Sequence, residues 1–218
     1  MHLDLLVTEW DGPAYDALPL PHQQWGKRTI VALNLQPAET LLDAGCGTGR
    51  DAQVALEILT SGKLICVDKS RTMLDQCRVA LGDDPRVTIT QGDLDSQLPV
   101  EPNSIDAIMS VAALHWLADH KNVWRNFFTA LKPGGRLATD AGGFGNLDRT
   151  LTLAKDLFPQ TSFPRWYYAN IEDTTSLLIE AGFTKCEVEL RPHPTVLPSY
   201  ETLVTYLQTL VFRDWPLT

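Results

Sequence analysis

Three glycines on alternate positions, Gly45, Gly47 and Gly49, follow an apolar run that ends near a carboxylate, Thr40-Leu41-Leu42-Asp43-Ala44. Glycine there lets the backbone turn sharply and approach a ligand that a Cβ would hold off. About twenty residues on, a second apolar run, Leu64-Ile65-Cys66-Val67, ends at Asp68. An acid at that place suits the two hydroxyls of a ribose. Loop and acid together point to a nucleoside-type cofactor. The dinucleotide fingerprint spaces its glycines G-x-G-x-x-G, whereas these run G-x-G-x-G with Asp43 two residues ahead. That spacing disfavours the out-of-class alternative, an NAD-dependent oxidoreductase.

Such a loop works only if the surrounding elements present it at an open edge. Strands are expected at 40–44, 64–68, 86–90, 105–111 and 136–141, with helices near 50–60, 70–81 and 120–131 between them. Ser70 is an N-cap and Gly82 a stop for the second of these helices. The alternation predicts βαβ units, hence an α/β, doubly wound, mostly parallel sheet. Right-handed crossovers put the loops after the strands on one edge. Gly92-Asp93-Leu94 after the third strand and Ser110 to Trp116 at the end of the fourth reach that same edge. A helix over 23–35, from Trp25 to Leu35, lies across the domain. Residues 1–21, with three prolines, read as an arm. Beyond the fifth strand come a turn at 142–146, helices near 147–157 and 171–181, a strand over 185–191 and a helix over 199–211. The expected organisation is one domain, 1–218. It divides into an arm and helix (1–35), a cofactor-binding core (36–141), and a lid with C-terminal elements (142–218).

In this order the motifs resemble those of class I S-adenosylmethionine (SAM)-dependent methyltransferases, with matches from about Thr40 to Ala141. The resemblance implies a Rossmann-like fold, SAM as cofactor and S-adenosylhomocysteine as product. It also implies that Gly45, Gly47 and Gly49 pass the methionine part, Asp68 holds the ribose and Asp93 the adenine amino group. Leu94 and Ser110 complete the expected cofactor set. Asp43 has two readings: a buried anchor for the loop, or a partner of the methionine ammonium through a water. The family usually ends with a seventh, antiparallel strand between the fifth and sixth. The residues after Leu210 are too few for it, and Pro216 resists a central strand.

The acceptor side is expected in the arm, the turn after the fourth strand and the aromatic insert. His115 could orient or deprotonate a nucleophile, and stands as the candidate catalytic residue. Trp116 either faces the acceptor or packs under the next helix. Tyr15, His22, Gln24 and Trp25 would cover the cofactor and touch the acceptor. Arg165, in Arg165-Trp166-Tyr167-Tyr168, could clamp a carboxylate. Gln24-Trp25-Gly26 with His115-Trp116 is similar to trans-aconitate and juvenile-hormone-acid methyltransferases, which implies O-methylation of a small acid's carboxylate. Related motifs occur in malonyl-carrier-protein and ubiquinone-pathway methyltransferases. Methylation of carbon, nitrogen or a phenol oxygen is the alternative.

The 218 residues carry a formal charge of -9, which disfavours a nucleic-acid substrate. Cys46, Cys66, Cys77 and Cys186 lack C-x-x-C spacing. They read as reduced structural thiols of a cytoplasmic protein, with no metal-ligand pattern. Neither a secretory leader nor a membrane-spanning run is expected. Oligomeric state is not legible in the sequence.

Overall fold

The computed structural model describes residues 9–18, 23–159 and 167–212. His22 and Arg165, both expected at the acceptor side, lie outside the described residues.

The chain begins with α1 (Gly12–Ala17) and α2 (Gln23–Leu33), followed by β1 (Thr40–Ala44), α3 (Arg50–Ile58), β2 (Lys63–Asp68) and α4 (Arg71–Leu81). β3 (Val87–Gln91), β4 (Ile105–Val111), a single 3-10 turn (Leu114–Trp116), α5 (His120–Ala130) and β5 (Leu131–Asp140) complete the core. α6 (Asp148–Leu157), α7 (Ile171–Ala181) and α8 (Tyr200–Tyr206), with a π-helical turn at Leu207–Val211, follow. The sheet has five strands in the order β3-β2-β1-β4-β5. Every pairing is parallel. The order reverses direction at β1, so the loops after β1 and β4 open a crevice at the carboxyl edge.

Side chains alternate across β1 and so build two cores. Leu41 packs with Leu64, Cys66 and Met109 under α2, α3 and α4, represented by Leu33, Ala52 and Leu74. Leu42 and Ala44 pack with Val67 and Ile108 under α5 and α7, represented by Phe127 and Leu178. Helices cover both faces, as a doubly wound parallel sheet requires. Ser70 Oγ accepts from Met73 N–H at the start of α4, and Gly82 ends that helix.

Four expectations need correcting. The arm contains a helix: Asp11 accepts from the Ala14 amide and Pro13 sits in the first turn of α1. Both residues are helix-start signals, although they resemble breakers when the helix is short. The fifth strand starts at Leu131, and its register slips between the Ile105 and Ala107 pairings, over the Pro133-Gly134-Gly135 turn. The helix expected over 199–211 is α-helical only to Tyr206 and π-helical beyond. Residues 185–191 form no strand. Cys186 and Val188 still pack on the core beside Leu137 and Ala141. Among the described residues β5 pairs only with β4, and no antiparallel strand stands beside it. With no ladder to join, only Cys186 and Val188 of 185–191 are half-buried and the other side chains are exposed.

Candidate active site

The crevice at the carboxyl edge is one large cleft. Gly45, Gly47, Asp68, Asp93 and Leu94 line it from the first three strand ends, and His115 and Trp116 line it from beyond β4. The cofactor and acceptor candidates therefore share one space.

All three glycines have positive φ: 80° at Gly45, 53° at Gly47 and 84° at Gly49. Their surroundings differ. A Cβ at Gly45 would strike the Ala113 methyl, and one at Gly49 would lie 2.9 Å from Cys77 Sγ. A Cβ at Gly47 would meet no atom within 4 Å. At Gly47 the chain leaves a cradle empty on the ligand side, and at the other two it packs against itself.

Asp68 holds this loop. Its Oδ2 accepts from Gly47 N–H at 2.9 Å and its Oδ1 from Ser70 N–H at 2.9 Å. Burial pushes its pKa up, against those two bonds. Each oxygen keeps a further lone pair toward the cleft, enough to accept from two hydroxyls. Asp93 is paired with Lys69 at 2.5 Å. Burial raises its pKa, but the bonds from Lys69 and Asp95 outweigh it and hold the carboxylate low. Leu94 is 5% exposed and fills the floor between the loop and α5.

Asp43 is 2% exposed, and its Oδ2 has no hydrogen-bond partner. Burial first, then Asp51, Cys77 and Asp68, drives its pKa well up. A cavity of about 40 Å³ beside it, lined also by Tyr15, Gly47, Arg50 and Asp51, is large enough for a water. An orphaned buried carboxylate next to an open glycine cradle fits a cationic ligand group carried by a nucleoside. Ser110 is placed differently: fully buried, it donates to Ala44 O at 2.7 Å, beneath the loop and away from the cleft wall.

On the acceptor side, Gly142 N–H donates to His115 Nδ1 at 3.2 Å. A ring nitrogen that accepts carries no proton, so neutral His115 holds its proton on Nε2. The ring lies 5.1 Å from Trp116 and 6.0 Å from Tyr168. Trp116 is 38% exposed and meets Trp10 edge-on at 4.9 Å, so it forms a wall of the cleft rather than core under α5. Tyr15 is half-buried, and desolvation drives its phenol pKa up. Trp25 lines the cleft edge-on to His193, 5.9 Å away. Gln24 is exposed and does not line the cleft.

Three contributors were missed in the sequence. Asp16 accepts from Thr48 Oγ1 at 2.8 Å and from Arg50 at 2.9 Å, tying α1 to the glycine loop. Arg28 of α2 pairs with Asp140 at the end of β5, and both line the cleft. Nothing in the sequence marked the Arg28–Asp140 pair, and Asp16 stood out only as part of the polar-aromatic segment that begins at Tyr15.

Comparison with known proteins bears on the fold and the reaction class. Residues 42–139 match the family described as "Methyltransferase domain". Trans-aconitate 2-methyltransferase of Acidovorax sp. (strain JS42) is 28% identical over 93% of this chain and 80% of its own length. The Escherichia coli (strain K12 / DH10B) protein of that name is 23% identical over 96% and 81%. Among solved structures, Haemonchus contortus phosphoethanolamine N-methyltransferase 2 in complex with S-adenosyl-L-methionine superposes with a TM-score of 0.63 at 25% identity. That match covers 77% of this chain but only 38% of the longer protein. A putative methyltransferase solved with the Haloferax volcanii Trm112 activator superposes at 0.66 over 91% of this chain and 88% of its own, and at 18% identity it speaks for the fold alone. The matched domain spans the glycine loop, Asp68 and Asp93, and the relatives span nearly the whole chain. Together these matches support a class I SAM-dependent methyltransferase.

Proposed function

We propose that the acceptor is a carboxylate of a small organic acid, methylated on oxygen. The observation that carries this reading is the bond from Gly142 N–H to His115 Nδ1. It leaves neutral His115 a donor at Nε2 rather than a base. A phenol or hydroxyl acceptor has to lose a proton on the way to product. A carboxylate is already ionised at neutral pH and needs no base. The trans-aconitate relatives support the same acceptor class.

When bound, SAM supplies a methyl group already activated on its sulfonium. The protein's part is alignment and exclusion of water. Asp68 would accept from the ribose hydroxyls while its other lone pairs hold Gly47 and Ser70. Asp93, kept ionised by Lys69, would accept from the adenine amino group. Asp43 would face the methionine ammonium through the small cavity. Gly47 leaves the space for the chain of the cofactor. Trp116, Trp25 and Tyr15 would wall the acceptor, and His115 would orient it. The reading places the reaction in the cytoplasm. The four free cysteines and the charge of -9 fit that compartment and a small acceptor rather than nucleic acid.

The test is single turnover with labelled SAM against trans-aconitate and a panel of small di- and tricarboxylic acids, from pH 5 to 9. We expect an alkali-labile methyl ester, formed at a rate nearly flat above about pH 6 once the acceptor is ionised. His115→Asn keeps an acceptor for the Gly142 amide and should hold the rate within about tenfold. A rate rising steeply near neutrality and lost by a factor of roughly 10²–10⁴ in that variant would mean base catalysis. Label on carbon or nitrogen would likewise overturn the carboxylate reading.

A further inference from the structure

Four cysteines without C-x-x-C spacing gave no metal pattern in the sequence. The fold nevertheless gathers three of them. Cys46 comes from the glycine loop, Cys66 from β2 and Cys77 from α4, and their sulfurs lie within 4.8 Å of one another. None is in a disulfide and all are buried.

The surroundings are largely apolar, with the buried Asp43 carboxylate on one side. Leu41, Ala52, Leu74 and Met109 belong to the same packed cluster. Three thiolates bonded to one ion at about 2.3 Å would stand about 4 Å apart, a small contraction of the present triangle. Three sulfurs in largely apolar surroundings, with no fourth member of the cluster among the described residues, suit a soft ion of low coordination number and low charge. They do not suit the four-coordinate site that zinc favours or the oxygen-rich site of a hard cation. Entry is available, because Cys46 borders the small cavity beside Asp43.

The position matters more than the donors. Cys46 stands between Gly45 and Gly47, and Cys77 packs against Gly49. Gly47 is bonded to Asp68 at the end of the strand that carries Cys66. An ion here would cross-link the loop, β2 and α4. Glycine backbone is costly to order, and a cross-link lowers that cost before the cofactor arrives.

We infer that Cys46, Cys66 and Cys77 form a three-thiolate site for a soft monovalent cation of the Cu(I) class, and that filling it pre-orders the glycine loop and tightens SAM binding. Each ligating thiol gives its proton to solvent, so uptake releases protons. Reciprocity requires SAM to tighten the cation by the same factor. The coupling half of the inference rests on the family assignment; SAM binding to the metal-free chain, measured alone, tests that assignment separately.

The experiment is anaerobic titration of the reduced full chain with Cu(I) held as its coloured bicinchoninate complex. One equivalent should be withdrawn by the wild type. Cys66→Ala and Cys77→Ala should each weaken Cu(I) by about a hundredfold while still binding SAM. X-ray absorption on the loaded wild type, which needs no variant to fold, should show three sulfur neighbours. Calorimetry should show SAM binding about fivefold tighter with one equivalent of Cu(I), and no change in Cys66→Ala. Copper withdrawn equally by wild type and both variants, or a copper shell of nitrogen and oxygen, would overturn the site. Unchanged or weaker SAM binding in the copper-loaded protein would overturn the coupling.

Discussion

Two carboxylates, both with pKa values raised by burial, flank the glycine loop, and they act in opposite senses. Asp68 is already bonded to two amides. Replacing it by alanine orphans Gly47 and Ser70 N–H and, in the proposed function, removes the ribose contact. A charge-assisted bond contributes about 1.5–3 kcal/mol, so SAM affinity should fall tenfold or more, read by calorimetry. Asp43 has an unpartnered oxygen and a pKa driven well up, chiefly by burial. In the cofactor-free protein it keeps its proton above the usual carboxylate range. A cationic group nearby favours the ionised form, so binding should release a proton and SAM affinity should rise as pH climbs through that raised pKa. Calorimetry in buffers of different ionisation heat checks this, and Asp43→Asn should flatten the profile. Asp51 lines the same small cavity, and burial lifts its pKa to about 6. The native state there binds more protons than the unfolded chain from about pH 4 upward. Stability is therefore fullest below the unfolded pKa and is lost as pH rises through 6. Asp51→Asn should stabilise the fold at pH 8 by at most about 3 kcal/mol, with little effect at pH 4, as thermal melts would show. If the gain is instead greater at pH 4, the raised pKa is wrong.

The segment before β1 is the element whose role changes most between sequence and structure. α1 is anchored through Asp16 on Thr48 and Arg50. Just upstream, Glu9 accepts from Ser70 Oγ at 2.7 Å at the start of α4. The segment thus grips both sides of the cofactor loop. Hydrogen exchange at residues 12–18 and 23–28 should slow when SAM or S-adenosylhomocysteine is added. Asp16→Ala should weaken SAM by about three- to tenfold, since it removes one charge-assisted contact shared by two donors. Exchange rates that ignore the cofactor would leave α1 without a covering role. These ties explain what was legible. Local chemistry was: Asp43, the glycine series, Asp68 and the Ser70 cap each declare themselves within a few neighbours, and the strands around them alternate or run apolar. Long-range pairing was not. Asp16 gives no sign that it meets Thr48, nor Arg28 that it meets Asp140, because neither contact has a spacing rule. The three clustered cysteines were invisible for the same reason. Ser110 is placed differently from the loop residues. It stands at the right strand end, but its hydroxyl turns inward to Ala44.

At the scale of the whole molecule, the notable feature is how the sheet ends. β1 and β4 are paired on both sides, whereas β3 and β5 form the edges. An edge strand presents unpaired amides and carbonyls, and proteins cover or blunt such edges. Here the side of β5 away from β4 faces the cleft together with the 185–191 segment, and both contribute residues to its lining. Leu190 comes close enough to Gly143 that a Cβ there would collide with it, so the segment is held by side-chain packing. Packing without a ladder half-buries Cys186 and Val188 but gives little amide protection. In residues 136–140 successive amides point to opposite sides of the strand. Only those turned toward β4 have a strand partner among the described residues. Exchange measured residue by residue should therefore alternate along β5, slow then fast. Residues 185–191 should exchange throughout at rates orders of magnitude above those of β1 and β4, whose amides open only with the global unfolding of the core. Slow exchange at every position of both segments would mean that the ladder extends past β5, and that the sheet is wider than its five strands.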